Sequence, residues 1–312
     1  MDRTVKSPAL LRLLELCPVT GLDACLMGVE RDFGAHAGEF PLLVEKYEVF
    51  VKPSLQAAEK LQALVRAAVE LASAEAPHWD KIAARLRYLG FARQLSEDEA
   101  RRGITNFVAK LHYLTAKGLY GSYILEHYTE RELSAAARFM AEERNHLYTY
   151  AGLDLLLSRY VIHTHHGVAL ESPQEMYLGI ALYLAMLEKP DVRMEWVRRF
   201  YDMLSLQQVT MATPTLANAR KPYHQLSSCF IDTVPDSLEG IYRSLDSFAK
   251  VSKWGGGMGL YFGKVRATGA AIRGFEGAAG GVIRWIRLVN DTAVAVDQLG
   301  VRQGACAVYL EA

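Results

Sequence analysis

The residues of this chain that are best suited to chemistry lie in its last hundred positions. Cys229 follows Ser227 and Ser228 in a short apolar stretch, and Cys306 lies within a second such stretch. A redox-active thiol must be accessible and must have a partner cysteine, which spacing alone does not identify. Because a cysteine inside a strand is more often a small buried side chain, Cys229 has two open interpretations, a redox thiol or a core residue.

Glycine and arginine residues in the same region raise the question of anion binding. The run at 255–259 is not a P-loop, because no Gly-Lys-Ser/Thr follows it, and a helix stop explains it better. Arg266, Arg273 and Lys264 are candidates for phosphate contacts, since cationic side chains, and guanidinium groups above all, bind phosphate well. An ordinary solvated surface charge is the alternative for each of them.

A polar loop near the end of the chain is a further candidate. Asp297, Gln298 and Arg302 lie with two glycines between a predicted helix and a predicted strand. A loop of this kind can change shape and reach a ligand. A plain connection between the two elements is the competing interpretation.

Glu143 and His146 have the Glu-x-x-His spacing of one half of a di-iron carboxylate site on a helix. A second helical copy is required, and the other match, at 75–78, contains a proline that disfavours a helix interior. The histidines at 163–166 lack a carboxylate at a suitable spacing, so a solvated turn is favoured. We therefore predict no metal site, and a helical metalloprotein built on Glu143 and His146 is the weaker alternative.

The elements that must position these residues change character near residue 210. Residues 1–55 resist assignment, because prolines and glycines interrupt the apolar pattern. From 56 to 210, apolar residues at helical spacing predict helices. Three helix starts have the pattern of capping boxes, in which a hydroxyl and a carboxylate satisfy backbone N–H groups reciprocally. They are Ser96 with Glu99, Thr129 with Glu132, and Ser172 with Glu175.

After residue 210 the pattern changes to short apolar stretches bounded by turn residues, which predict strands. Strands are expected at 225–231, 258–264 and 304–311, and helices at 236–253 and 281–296. This order implies parallel strands joined by right-handed crossovers. Since ligands of parallel α/β structures bind at the carboxyl ends of the strands, the rule points to segments 232–236 and 266–269.

Composition limits the class of protein. Apolar residues make up 51% of the 312 residues and charged residues 22%, as in ordinary folded proteins. Lysine plus arginine and aspartate plus glutamate both number 35, which argues against a bulk nucleic-acid or membrane-surface binder. The four cysteines form neither a disulfide framework nor a zinc spacing, and no apolar run approaches the length of a membrane span. The predicted location is a reducing cytoplasm.

Six motifs follow one another in a set order from residue 213 onward. They lie at 213–215 (Thr-Pro-Thr), 225–230, 236–240, 255–259, 266–269 and 297–305. In this order they resemble the large (alpha) subunit of ribonucleotide reductase, and the resemblance covers roughly residues 56–312. That family folds as an N-terminal helical domain followed by a ten-stranded α/β barrel made of two five-stranded halves. The resemblance implies an α/β fold, with a helical domain at 56–210 and part of the first barrel half at 211–312.

The resemblance also implies roles for single residues. Thr213 and Ser228 match residues that hold the substrate diphosphate, and Cys229 matches one of two cysteines that form a disulfide as the ribose is reduced. Gln298 and Arg302 match substrate-side contacts in the second specificity loop. The site for the specificity effector, a deoxynucleoside triphosphate or ATP with Mg²⁺, is matched by Asp236, Ser237, Leu238, Ile241, Arg266, Arg273 and Asp297.

The activity that the resemblance implies is the reduction of ribonucleoside diphosphates to deoxyribonucleotides for DNA replication, by a thiyl-radical mechanism under allosteric control. The ending at 308–311 looks like class I of the family, which implies a separate metal-containing small (beta) subunit that supplies the radical. Thioredoxin or glutaredoxin and a second alpha subunit are the other implied partners. No covalently bound cofactor is implied.

The family's radical cysteine, its second redox cysteine and its C-terminal thiol pair have no match in this chain. We therefore expect the chain to act only with a complementary C-terminal polypeptide, whether it is a natural split half, an intein-interrupted segment or a truncation. Residues 1–55 have about the length of an ATP-cone but lack its Val-x-Lys-Arg-x-Gly-like start. The alternative function is a non-catalytic nucleotide-binding protein that retains the effector site.

Overall fold

The computed structural model describes residues 7–33, 39–296 and 304–311. The chain divides into two compact units, residues 1–209 and 210–312. None of the described helices is both long enough and apolar enough to cross a membrane. The first unit contains α1 (Pro8–Leu16), α2 (Leu22–Asp32), α3 (Phe40–Phe50), α4 (Ala57–Leu71), α5 (His78–Arg102), α6 (Phe107–Ala116), α7 (Tyr123–His127), α8 (Glu130–Ala137), a 3-10 helix (Glu142–Leu147), α9 (Tyr150–Leu155), a π-helix (Leu156–Tyr160), α10 (Pro173–Ala185) and α11 (Pro190–Ser205).

The first three helices account for the broken pattern of residues 1–55. They are short, and Pro8 and Gly21 lie at the starts of α1 and α2, whereas Gly28 lies inside α2. Pro8 is the first residue of α1, behind Ser7, whose hydroxyl accepts from the backbone N–H of Leu10. Gly21 precedes α2 with φ at +85°. The apolar residues of these helices pack with those of α4 and α5, so the helices on both sides of residue 55 share one hydrophobic core.

Two of the three predicted capping boxes are confirmed. Thr129 caps α8 and Ser172 caps α10, and in both the glutamate three residues later bonds back to the capping residue. The prediction at Ser96 is wrong, because Ser96 lies in the interior of the 25-residue helix α5. That helix continues to Gly103, which adopts φ +71° and ends it. The local motif at Ser96 therefore yields to the longer helical pattern around it.

These two hydroxyl residues provide a matched test of capping. Thr129→Ala is expected to lower the free energy of unfolding by about 1 kcal/mol, because the backbone N–H of Glu132 loses its acceptor. Ser96→Ala is expected to be neutral or slightly stabilising, because alanine has the higher helix propensity in a helix interior. Urea unfolding followed by circular dichroism measures both variants. Equal losses at the two positions would show that Thr129 does not act as a cap.

A buried charge cluster joins three helices of the first unit. Lys110 of α6 is 2% exposed, and its Nζ donates to both carboxylate oxygens of Glu175 in α10 at 2.5 and 2.6 Å. The same Nζ donates to Glu99 of α5. Glu175 also accepts from the backbone N–H of Ser172 at 2.7 Å. The start of α10 is thus fixed to α5 and α6 through ionic hydrogen bonds.

The segment that suggested half of a di-iron site has a different geometry from the one predicted. Glu143 and His146 lie on the 3-10 helix and not on an α-helix. In the part of the chain that the structure describes, no three His, Cys, Asp or Glu side chains are grouped so that they could hold a metal ion. His163 takes part in an isolated antiparallel bridge with Ala169. The metalloprotein alternative therefore has no structural basis among the described residues.

The second unit has the predicted parallel strands. The sheet order is β1-β2-β3, and both pairs are parallel. The first strand begins at Cys229 and not at 225, because Gln225 is held in local contacts with Asn218 and Ser227. The elements are α12 (Thr213–Asn218), β1 (Cys229–Thr233), α13 (Leu238–Lys253), β2 (Gly257–Tyr261), α14 (Ile283–Ala295) and β3 (Ala305–Tyr309).

The two faces of this sheet differ. Alternate strand residues, among them Met258 and Leu260, pack with α13 and α14 in the core of the second unit. The intervening residues face the other way, where Ile231 is 86% exposed and Tyr309 is 55% exposed. The described sheet is therefore an open, parallel α/β arrangement with helices on one face, which is the form expected for part of a barrel.

Candidate functional site

Cys229 lies at the amino end of β1, on the exposed face of the sheet. The register places Gly257 and Ala305 beside it, so its neighbours on that face are small. Cys306 aligns with Met258 and packs with the core, which puts the two cysteines on opposite faces. They also lie two strands apart, roughly 10 Å, which is too far for a disulfide. A redox partner for Cys229 must therefore come from outside this sheet.

The four cysteines differ in accessibility. Burial raises the pKa of the Cys25 thiol to about 11, and it raises the pKa values of Cys17 and Cys306 above their ordinary value. A thiol with a raised pKa is rarely present as the reactive thiolate at neutral pH. Cys229 is the exposed thiol among the four. The interpretation of Cys229 as a core residue is therefore wrong, and its role as a redox thiol stays a prediction.

The glycine run before β2 ends a helix. The N–H of Gly256 donates to the carbonyl of Val251 at 3.1 Å, and the N–H of Gly255 donates to that of Ser252 at 2.9 Å. This pair of bonds, with Gly255 at φ +79°, is a Schellman motif. A Cβ on Gly256 would lie 2.7 Å from a methyl group of Val251, so a side chain at this position would require its neighbours to shift. The helix-stop interpretation is confirmed.

Ser228 and Thr213 were predicted to hold a diphosphate. The Oγ of Ser228 lies 3.5 Å from the Sγ of Cys229, and its carbonyl accepts from the N–H of Gly257 at 2.8 Å. Thr213 is the first residue of the short helix α12 and is half-buried. Ser228 is thus fixed beside the exposed thiol by the sheet itself, and the phosphate contacts of both residues stay predictions.

The carboxyl end of the sheet carries a pair of opposite charges. Asp236 follows β1 and Arg266 follows β2, and the Nε of Arg266 donates to Oδ2 of Asp236 at 2.8 Å. The backbone N–H of Arg266 donates to Oδ1 at 3.2 Å. Sequence reasoning named both residues but missed their pairing across 30 positions. Their proximity could have been inferred because both residues follow neighbouring parallel strands, whose carboxyl ends meet at one edge of the sheet.

Arg273 lies at the tip of a β-hairpin that follows Arg266. The N–H of Ile272 donates to the carbonyl of Phe275 and the reverse bond is also made, each at 3.0 Å. Arg273 and Gly274 between them have φ values of 51° and 82°, as in a two-residue type I′ turn. The hairpin presents Arg273 to solvent.

The first turn of α13 contains the other predicted effector residues. The hydroxyl of Ser237 caps the helix by accepting from the N–H of Gly240 at 3.1 Å. Leu238 is 59% exposed, whereas Ile241 is 4% exposed and belongs to the core. Thus Leu238 presents an apolar surface close to Asp236 in the sequence, and Ile241 packs α13 against the core. The remaining predicted residues, Asp297, Gln298 and Arg302, lie outside the described residues.

The two groups of candidate residues lie at opposite ends of the sheet. Cys229 and Ser228 are at the amino end of β1, while Asp236 and Arg266 lie beyond the carboxyl ends of β1 and β2. The strand between them spans roughly 13 Å. The arrangement offers an accessible thiol for redox chemistry at one end and a separate cationic and hydrogen-bonding site at the other.

Family comparisons identify the same two parts of the chain. Residues 146–224 match the description "Ribonucleotide reductase, all-alpha domain", and residues 227–312 match "Ribonucleotide reductase, barrel domain". The two matches are consecutive and together cover more than half of the chain. The boundary between them falls in the segment that joins α12 to β1.

Individual relatives extend the likeness toward the start of the chain. The chain is 54% identical to the ribonucleoside-diphosphate reductase subunit alpha of Treponema pallidum over 99% of its own length and 37% of that protein. It is 39% identical to the Synechocystis subunit over 80% of this chain and 31% of that one, and 36% identical to the Helicobacter pylori subunit over 86% and 34%. The chain thus spans about a third of the length of these relatives. With helices leading into parallel barrel strands, it belongs to the ribonucleotide reductase large-subunit family.

Proposed function

We propose that this chain is the amino-terminal part of a ribonucleoside-diphosphate reductase alpha subunit and acts with a complementary C-terminal polypeptide. The observation that carries the proposal is the exposed thiol of Cys229 on the open face of the sheet, beside Ser228 and small residues that leave room for a ligand. The three relatives named above, all alpha subunits of ribonucleoside-diphosphate reductases, support it.

The proposed chemistry needs two thiols. Replacing the ribose 2′-hydroxyl by hydrogen takes two electrons, which two thiols supply when they form one disulfide, while the hydroxyl oxygen leaves as water. Cys229 is one of these thiols in the proposal, and the complementary polypeptide provides the other. It also provides the cysteine whose thiyl radical abstracts the 3′ hydrogen. A metal-containing small subunit generates the radical, and thioredoxin or glutaredoxin reduces the disulfide.

Substrate binding falls to the residues around the thiol. Thr213 and Ser228 hold the diphosphate in this proposal, together with backbone N–H groups, while Gln298 and Arg302 contact the substrate from the second specificity loop. Fixing the ribose beside the thiol turns a bimolecular encounter into a positioned reaction. Ser228 is suited to this task because the β1–β2 hydrogen bonding fixes its backbone.

The carboxyl end of the sheet is the proposed specificity site. In it Asp236 binds the ribose of a deoxynucleoside triphosphate or ATP, and Arg266 and Arg273 bind its Mg²⁺-complexed phosphates. Ser237, Leu238, Ile241 and Asp297 complete the set. The site lies apart from Cys229, as an allosteric site must, because two ligands have to be bound at once.

A non-catalytic nucleotide-binding protein is the second candidate. It would need the carboxyl-end site and no thiol. The exposed position of Cys229 favours the reductase, because a sensor gains nothing from an accessible cysteine at the other end of the sheet. Turnover after addition of a complementary polypeptide separates the two functions.

An alpha homodimer in the cytoplasm is part of the proposal. The outer surfaces of α13 and α14 expose several large apolar side chains, and Tyr242 and Trp285 meet edge to face with ring centroids 6.0 Å apart. Exposed apolar side chains on adjoining helices are a feature of association surfaces. The exposed apolar residues of α13 and α14 include Leu238, Tyr242, Ile283 and Val294.

Calorimetric titration of the chain with dTTP, ATP and dATP, each with Mg²⁺, tests the proposed specificity site. Asp236→Ala is expected to weaken binding at least about tenfold, because the ribose loses its acceptor. Asp246→Ala is the matched control, since Asp246 is an exposed acid on the same unit and pairs, among the described residues, with Lys250 of its own helix. Tight binding that survives Asp236→Ala would reject Asp236 as a ligand residue.

A further inference from the structure

Arg266 links three segments at the carboxyl end of the sheet. Its Nε and its backbone N–H both donate to the carboxylate of Asp236, at 2.8 and 3.2 Å. Its Nη1 donates to the carbonyl of Ala271 at 2.8 Å. One guanidinium group therefore joins the loop after β1, the end of β2 and the first arm of the hairpin.

The hairpin has little else to hold it. Its own backbone bonds, such as Gly269 N–H to the carbonyl of Ala279 at 2.9 Å, keep its two arms together. Between residues 267 and 280, only Ala279 is buried, so apolar burial contributes little to the position of the hairpin on the sheet. The Asp236–Arg266 pair is thus the principal polar anchor described for it.

We propose that Asp236 is a positioning residue that clasps the hairpin through Arg266 in the nucleotide-free protein, and that an incoming phosphate group replaces it. The replacement of Asp236 by a phosphate group rests on the proposed specificity site, whereas the clasp does not. The partner exchange leaves Arg266 bound to phosphate and frees the Asp236 carboxylate to accept from a ribose hydroxyl. The hairpin then moves with Arg266, so phosphate arrival sets the position of Arg273 at its tip.

The physical balance favours such an exchange. The side chains of Arg266 and Asp236 are 36% and 34% exposed, and ion pairs of that exposure are weak. A triphosphate carries more negative charge than one carboxylate and can accept two parallel bonds from the guanidinium group. A clasp of this strength holds the hairpin and yields to the ligand.

Amide hydrogen exchange in the complete chain without nucleotide tests the clasp. Asp236→Asn is expected to raise exchange in residues 267–279 about threefold to fivefold, because the hairpin loses a charged anchor. Asp246→Asn removes an exposed ion pair within α13 and is expected to leave the hairpin unchanged. Arg266→Lys is expected to loosen the hairpin as well, because one ammonium group cannot reproduce the fork to Asp236 and Ala271. Unchanged exchange in Asp236→Asn and Arg266→Lys would overturn the clasp.

Saturating dTTP with Mg²⁺ tests the exchange of partners. Hairpin exchange in the wild type and in Asp236→Asn is expected to become equal, at the dTTP concentration that saturates each, because phosphate then anchors Arg266 in both. A difference that persists would overturn the partner exchange while leaving the clasp. Failure of dTTP to bind either protein would refute the proposed specificity site instead, and the nucleotide-free comparison would still decide the clasp.

Discussion

Lys110→Met is expected to lower the free energy of unfolding by about 3–5 kcal/mol at neutral pH. The substitution leaves the carboxylates of Glu175 and Glu99, which are 14% and 26% exposed, without their shared cation. A single uncompensated carboxylate in the interior costs several kcal/mol, whereas the hydrophobic gain from methionine is smaller. Urea unfolding of the complete chain, followed by circular dichroism, measures the loss.

The pH dependence of this loss has a defined sign. Burial opposes the charge of Lys110, but the carboxylates of Glu175 and Glu99 outweigh it, so the pKa of Lys110 is raised above its ordinary value. The stabilisation by Lys110 is therefore fully present below its ordinary pKa and is lost as the pH rises through the raised one. In Lys110→Met, burial favours the protonated form of Glu175. The deficit relative to wild type should therefore shrink as the pH falls through the carboxyl range.

Lys117→Met is the control for this prediction. Lys117 follows the same helix α6 but is exposed, and its ammonium group lies 5.8 Å from the ring centre of Tyr113. Exposed substitutions of this kind change stability by about 0.5 kcal/mol or less. Similar losses for Lys110→Met and Lys117→Met would mean that the cluster carries no special energy.

The sequence was sufficient where structure follows from local pattern. The parallel order of β1, β2 and β3 could be predicted because short apolar stretches alternate with helix-length segments. The caps at Thr129 and Ser172 could be predicted because both partners lie three residues apart. Ser96 has the same local signature and fails, since a helix interior is decided by the residues on both sides of it.

Long-range pairing was beyond the sequence. Lys110 and Glu175 are 65 positions apart, and nothing in either segment identifies its partner. Asp236 and Arg266 were each expected at the carboxyl end of a strand, yet their direct bond depends on the exact register of β1 and β2. A one-residue shift in that register would turn each strand side chain to the other face. The sequence therefore predicts which end of the sheet carries Asp236 and Arg266, but it does not predict the bond between them.

The exposure of Cys229 shows the same limit at the candidate redox site. Residue type favours a buried position for Cys229. Alternation along β1 instead places Cys229 on the exposed face and its neighbour Phe230 against the core. The same alternation places Cys306 on the core face. Two cysteines with similar strand settings thus receive opposite environments.

Under the proposed function, Cys229→Ser is expected to lower turnover at least about a thousandfold when it is introduced into the complete proposed reductase with its small subunit. In the proposed reaction two thiols give up two electrons to the ribose as they form a disulfide, and a hydroxyl group cannot replace one of them, so catalytic reduction stops. Affinity for dTTP is expected to stay within about twofold, because the proposed dTTP site at Asp236 lies at the other end of the sheet, roughly 13 Å or more away. Steady-state turnover and dTTP titration of the same preparation measure the two effects.

Cys306→Ser separates a redox role from a structural one. Its thiol packs with the core, and burial raises its pKa, so the substitution should cost stability while turnover of the folded protein persists. Iodoacetamide labelling of the wild type provides an independent check, since the exposed Cys229 should react first and protection by substrate should be confined to it. If Cys229→Ser retains turnover, or if both variants lose it equally, the thiol on the open face is not the electron donor. Loss confined to Cys229→Ser, with dTTP binding intact, is the result expected of a redox role.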